Sequence, residues 1–294
     1  MLLALPYPTM NFLPFYAAED LGFFSRAGVS LHCIHVRETK ERKVRLCVAG
    51  DLDFYTSIST TVEALLRGWG DVKALCSNQT TLYFCAARQE IAELKDLKGK
   101  RVMVGGGASN NQITYLSKKL GWILGSDITI VRGDALDRIK AFNDPSIAAV
   151  IAREEYAYWA LEAGWRLLPY PDKYMRWHGG GLCTSGSLIR ERPDTVYQTV
   201  KSVLQATNYL NSHRREAIDL ACSRITHLSR EEAEGNYDVH LRNGGYSCAI
   251  TKEGIRYQSE VLALAKGVNK KVTYEDAVDL SFLEKAQGEA GSNQ

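Results

Sequence analysis

Short apolar runs alternate with stretches of helical spacing along the first two-thirds of the chain. Residues 2–5 are four apolar residues in a row, cut off by Pro6 and Pro8, as in a buried strand. Asn11 is placed to cap a helix to about Leu21, with Pro14 in its first turn and Gly22 at its end. Residues 29–36 have strand composition. A helix over 39–49 puts Val44, Cys47 and Val48 on one face and closes at Gly50. A strand over 52–56, a helix over 60–67 and a strand over 72–76 complete a β-α-β-α-β-α-β alternation with short links, the pattern of a parallel sheet covered by helices.

After a β-rich run at 81–87, a second alternation follows. It has strands at 101–104, 127–131 and 147–151, and helices at about 110–120, 134–142 and 154–163. Residues 182–188 read as strand again. From Pro193 the pattern is helical, over about 194–211, 214–223, 229–242 and 252–266. The expected architecture is α/β and two-lobed, each lobe a mainly parallel sheet flanked by helices. Residues 1–84 and 187–294 form the first lobe, and 85–186 are inserted as the second. The chain would cross near 81–87 and 182–188, two crossings that make a hinge, with the inter-lobe cleft as ligand site. The alternative is one continuous doubly wound sheet; the long helical return after Pro193 favours two lobes. The small, polar stretch from Glu284 to Gln294 is expected to fray.

With 36 basic and 34 acidic residues among 294, the net charge is +2, which supplies no long-range field for nucleic acid or an anionic membrane. The basic run at 40–45 reads as a solvated helix face. No apolar run reaches the length of a membrane span, and residues 2–5 are too short for a leader's apolar segment. The expected location is periplasmic or lipid-anchored if a leader has been removed, and cytoplasmic otherwise. Seven cysteines without a CxxC or regular spacing read as reduced, mostly buried small hydrophobes.

Four segments carry a family likeness. Residues 15–29 (FYAAEDLGFFSRAGV), 49–54 (AGDLDF), 94–102 (LKDLKGKRV) and 272–283 (VTYEDAVDLSFL) resemble, in order, segments of substrate-binding proteins for nitrate, sulfonates, taurine and thiamine-pyrimidine precursors. The resemblance implies a type II periplasmic-binding-protein-like fold, with strand-to-helix loops of both lobes lining the pocket. It also implies a small-molecule ligand, anionic or aromatic/heterocyclic, and a transporter permease as protein partner in an ABC-type uptake system. No cofactor is implied.

Ligands of such sheets sit outside the carboxyl ends of the strands, so the loops there supply the candidates. Thr9 and Asn11 follow the first strand, Tyr55 and Ser57 end the third, and Asn78 follows the fourth. In the second half, Gly106, Gly107, Ser109 and Asn110 lie between a strand and a helix start. There, free N–H groups and the helix dipole suit an anion, although a plain helix cap reads equally well. The loop lacks the last glycine of a dinucleotide fingerprint and the Gly-Lys-Ser/Thr of a P-loop. Arg153 could grip a carboxylate or sulfonate with two hydrogen bonds, or pair with a neighbouring acid. Trp177 and His178 precede three glycines, Trp177 as a stacking platform and His178 as a donor or a group titrating near neutral pH; a hinge turn is the bland alternative.

Two enzyme groups share the likeness. Thiamine-pyrimidine synthases carry a cysteine-rich cluster that is missing here, and a desulfinase carries a cysteine at the end of the first strand, where Pro8 or Thr9 stands. A cytoplasmic enzyme on this scaffold, or a non-catalytic ligand sensor, remains the alternative to transport.

Overall fold

The computed structural model describes residues 1–78, 83–105, 107–153, 156–168, 177–242 and 244–291. Its main elements, in chain order, are β1 (Leu2–Leu5), α1 (Leu13–Asp20), α2 (Phe23–Arg26), β2 (His32–His35), α3 (Lys40–Ala49), β3 (Phe54–Thr56), α4 (Ile58–Arg67), β4 (Val72–Cys76), β5 (Tyr83–Ala87), β6 (Arg101–Val104), α5 (Ala108–Lys119), β7 (Thr129–Arg132), α6 (Ala135–Ala141), β8 (Ala149–Arg153), α7 (Ala157–Glu162) and β9 (Arg166–Leu168). There follow β10 (Leu182–Ser185), α8 (Gly186–Glu191), α9 (Pro193–Ser212), α10 (Arg214–Arg224), α11 (Arg230–Arg242), α12 (Lys252–Lys266), α13 (Tyr274–Ala277) and α14 (Ser281–Gly291).

The chain forms two compact units. One comprises Met1–Thr80, His178–Ser259 and Lys270–Gln294, the other Thr81–Trp177 and Glu260–Asn269. The sequence put the insertion at 85–186; β10 within that span joins the first unit's sheet, and 260–269 joins the second unit.

The first unit's sheet has the order β2-β1-β3-β10-β4. β1 runs parallel to β2 and β3, and β10 is antiparallel to both β3 and β4. Alternation along each strand separates two faces. Leu3, Leu5, Phe54, Leu75 and Leu182 join the core built with α1, α9, α10 and α14. On the other side α3 and α4 pack on β3, β10 and β4. The second unit's sheet, β7-β6-β8-β5-β9, repeats the plan: β6 is parallel to β7 and β8, and β5 is antiparallel to β8 and β9. α5, α6 and α7 flank it. Its core runs through Val102, Val104, Cys85 and Ala149 to Ala152, all fully buried. In each sheet the antiparallel strand is the one that follows a passage of the chain from one unit to the other.

Several expectations need correction. The strand expected over 182–188 ends at Ser185, because the Ser185 hydroxyl accepts the Leu188 N–H and caps α8. Asn11 caps nothing; it lies inside a 3-10 turn, Met10–Phe12, that precedes α1. The tail does not fray from Glu284. α14 runs to Gly291, and its Leu283 and Ala286 are buried in the first unit's core. The basic run at 40–45 is only partly a solvated face. Lys43 is buried, and Lys40 Nζ pairs with Glu63 at 2.7 Å. Burial and the Lys40 charge pull the Lys43 pKa down.

Candidate functional site

At the carboxyl ends of β1 and β4 in the first unit, three neutral polar side chains are shut off from solvent. Thr9, Asn11 and Asn78 are all buried. The Asn78 Nδ2 donates to the Asn11 backbone carbonyl, which joins the loop after β1 to the loop after β4 and fixes the orientation of the Asn78 amide. Among the described residues, the Thr9 Oγ1, the Asn11 Nδ2 and Oδ1, and the Asn78 Oδ1 have no hydrogen-bond partner. Buried polar atoms are almost always paired, and each one left unpaired costs about 1–3 kcal/mol. Four such atoms within two adjoining loops are therefore a costly feature that packing alone does not explain.

Two of the three glycines after His178 make this arrangement possible. A methyl group on Gly180 would lie 2.7 Å from the Asn78 Cγ, so only glycine lets the loop run beside that amide. Gly181 has φ +131, and a side chain there would meet the Cys76 carbonyl oxygen at 2.6 Å.

Ser57, at the end of β3, has φ 129 and is the one non-glycine residue with positive φ among the described residues. Such backbone strain costs of order 1–3 kcal/mol and concentrates at ligand clamps and active sites. The Ser57 Oγ accepts from the Thr60 N–H at 3.2 Å and caps α4, and it also pairs with the Ser59 Oγ at 3.1 Å. Tyr55, two residues earlier on β3, is fully buried, and its hydroxyl pairs with the Thr61 Oγ1 at 2.8 Å. Its polar atom is spent within the fold.

His178 is 5% exposed. Its Nε2 accepts the Thr251 backbone N–H at 3.0 Å and lies 3.0 Å from the Thr251 Oγ1, which in turn accepts the Gly254 N–H at the start of α12. Burial holds the imidazole pKa down, at about 4, so the ring is neutral at neutral pH. The suggested titration near pH 7 therefore does not occur: the cost of desolvating the cation outweighs any benefit of charging it. Trp177, just before it, is fully buried.

In the second unit, α5 opens after Gly107, whose φ of 67 and ψ of −114 suit glycine alone. Gly106 lies outside the described residues. Ser109 is buried, and the Asn110 Oδ1 accepts from Arg132 at 3.2 Å. Two residues that sequence reasoning passed over stand next on this helix. Asn111 and Gln112 are buried, and the Asn111 Nδ2 and both polar atoms of Gln112 have no partner among the described residues. The run Ser-Asn-Asn-Gln was the available signal. Arg138 was missed as well. It is 5% exposed, its guanidinium carbon lies 4.3 Å from the Tyr156 ring centroid, and a methyl on Gly105 would meet it at 2.9 Å. Arg153 ends β8, two residues beyond the Ile151–Val104 pairing with β6, and is largely buried. The start of α5 is thus flanked by Arg132 and Arg138, and the neighbouring strand end carries Arg153.

Among the described residues, no three His, Cys, Asp or Glu side chains are placed to hold a metal ion, and no helix is long and apolar enough to cross a membrane. All seven cysteines are free thiols. Burial pushes the thiol pKa of Cys47, Cys85 and Cys183 up to about 12, which removes their nucleophilic thiolate form.

Residues 9–217 match the family model described as NMT1/THI5 like. A Bacillus subtilis (strain 168) protein described as an aliphatic sulfonates-binding protein is 25% identical over 206 residues, a match spanning 69% of this chain and 61% of that protein. The chain thus covers less than two-thirds of this relative's length. Among solved structures, the periplasmic aliphatic sulphonate binding protein SsuA of Escherichia coli superposes with a TM-score of 0.74 at 16% identity, over 95% of this chain and 92% of that one. The alkanesulfonate-binding protein SsuA of Xanthomonas axonopodis pv. citri, bound to MOPS, gives 0.70 at 17% identity, over 95% and 98%. At such identities the likeness establishes the fold, that of the periplasmic binding proteins, with two mixed sheets flanked by helices.

Proposed function

Because the chain belongs to the NMT1/THI5-like family, we propose that it binds one small organic anion of the sulfonate class, as the solute-binding component of an ABC-type uptake system. A transporter permease is then its protein partner, and it works on the outer side of the cytoplasmic membrane. The observation that carries this reading is the set of buried polar atoms without a partner among the described residues at the strand carboxyl ends of the first unit, on Thr9, Asn11 and Asn78; within the second unit the start of α5 carries others, on Asn111 and Gln112. A sulfonate offers three acceptor oxygens; the Thr9 hydroxyl, the Nδ2 of Asn11 and of Asn111 and the Gln112 Nε2 are the donors among these atoms, whereas the Asn78 Oδ1 can only accept. Arg153 and Arg138 supply positive charge. The names of the relatives point to the same ligand class.

A thermal-shift screen with butanesulfonate, MOPS, an aromatic carboxylate and a pyrimidine tests the proposal. A sulfonate at about 100 times its Kd should add about 2.7 kcal/mol of stability. The Arg153→Ala variant should lose that gain, read against its own unliganded melting point. A shift with the pyrimidine alone, or an Arg153→Ala response equal to the wild type's, overturns the anion reading. Recovery of the probe unchanged after incubation separates binding from turnover; its consumption would support an enzyme on this scaffold.

A further inference from the structure

The amide of Thr251 can only donate, so the His178 Nε2 it points to at 3.0 Å is an acceptor, and the ring proton of the neutral imidazole sits on Nδ1. We infer that His178 is a tautomer-fixed, uncharged N–H donor that recognises an acceptor oxygen of the bound anion; this rests on the ligand-binding reading above and adds a specificity residue to it.

Three observations support the assignment. First, the ring's orientation is fixed from the Nε2–Cδ2 edge. A methyl on Gly254 would meet both atoms at 2.6 Å, so this edge lies flat on the start of α12 and the Nδ1 edge is turned away from it. Secondly, the residue is pinned at its backbone too, since the His178 carbonyl accepts the Gln258 Nε2 at 2.6 Å. A donor held at both ends loses little freedom on meeting a ligand. Thirdly, the Nδ1 itself is buried and has no partner among the described residues. Capping Thr251 needs only an acceptor at the Nε2 position, which a glutamine oxygen supplies. A histidine used for capping alone would bury its second nitrogen at a cost with no return.

The two roles can be separated by substitution. In His178→Gln the side-chain oxygen reaches the Nε2 position and keeps the Thr251 contact, but no N–H remains at the Nδ1 position. In His178→Asn the amide N–H stands near the Nδ1 position and the cap is lost. With butanesulfonate as probe, His178→Gln should keep the unliganded melting point of the wild type and bind about tenfold to a hundredfold more weakly. His178→Asn should melt lower when unliganded yet retain most of its ligand-induced shift. Equal affinity of His178→Gln and wild type overturns the inference. If neither variant folds, the imidazole nitrogen signals of the wild type decide. A protonated Nδ1 whose resonance moves on adding butanesulfonate supports the assignment; a protonated Nε2, or an Nδ1 indifferent to the probe, overturns it. If the wild type responds to no member of the panel, the anion reading falls first, and this inference with it.

Discussion

The strand ends of the two units carry polar groups of different kinds. In the first unit the polar groups are neutral: Thr9, Asn11 and Asn78 are held by loop-to-loop contacts, and His178 is kept uncharged by burial. In the second unit, amides on α5 stand beside the guanidiniums of Arg132 and Arg138, with Arg153 on the neighbouring strand. A neutral donor is useful only where its direction is fixed, because its attraction falls away steeply with angle. A guanidinium acts over a longer range and can be carried by a flexible stem. The first unit should therefore be intolerant of small changes in backbone packing, and the second tolerant of them.

The largest expected effect tests the neutrality of the first unit. The His178 imidazole protonates at 6.5 in the unfolded chain and near 4 in the folded one. Stability from this residue is complete above pH 6.5 and is lost as the pH falls towards 4, by about 3 kcal/mol in all. Urea unfolding at pH 7 and pH 4.5 should show a loss about 2–3 kcal/mol larger in the wild type than in His178→Gln, since other groups with lowered pKa values, such as His35 and Asp238, weaken both proteins alike; equal losses would mean that the ring is not held neutral. Next in size is a paired glycine test. Gly180→Ala drives a methyl against the Asn78 amide and should cost about 2 kcal/mol, whereas Gly105→Ala presses on the guanidinium at the far end of the long Arg138 side chain and should cost less, about 1 kcal/mol. Equal costs would erase the contrast between the units. The smallest effect has the opposite sign. Asn11→Leu removes two unpartnered buried atoms and should stabilise the unliganded protein by up to about 1 kcal/mol while abolishing the response to sulfonate. Destabilisation by that change would assign Asn11 to the fold rather than to the ligand.

Much of the fold could be read from spacing alone, because local chemistry decides it. The stretch 252–266 is helix from end to end as expected, and Thr39 and Gly50 cap α3 where their residue types suggest. Strand 29–36 shortens to β2 because Val29 and Leu31 are buried without joining the ladder, and burial rather than pairing is what an apolar pattern reports. The polar tail misled for the same reason: two apolar residues, Leu283 and Ala286, are enough to seat α14 on the core, whatever their neighbours. The site was legible by position and not by chemistry. Asn11 looks like a cap in sequence, and only the tertiary structure shows its amide sealed and unpaired. The closeness of Gly180 to Asn78 joins residues 102 apart, and the burial of Arg138 depends on a missing side chain at Gly105. No local pattern encodes either.

The thiols of Cys47 and Cys183 in one unit and of Cys85 in the other are sealed and essentially never ionised at neutral pH. An alkylating reagent can therefore reach them only when the surrounding sheet comes apart. Labelling followed by peptide mapping turns the three into separate clocks, two timing the disruption of one half of the molecule and the third that of the other, with no engineered probe in either.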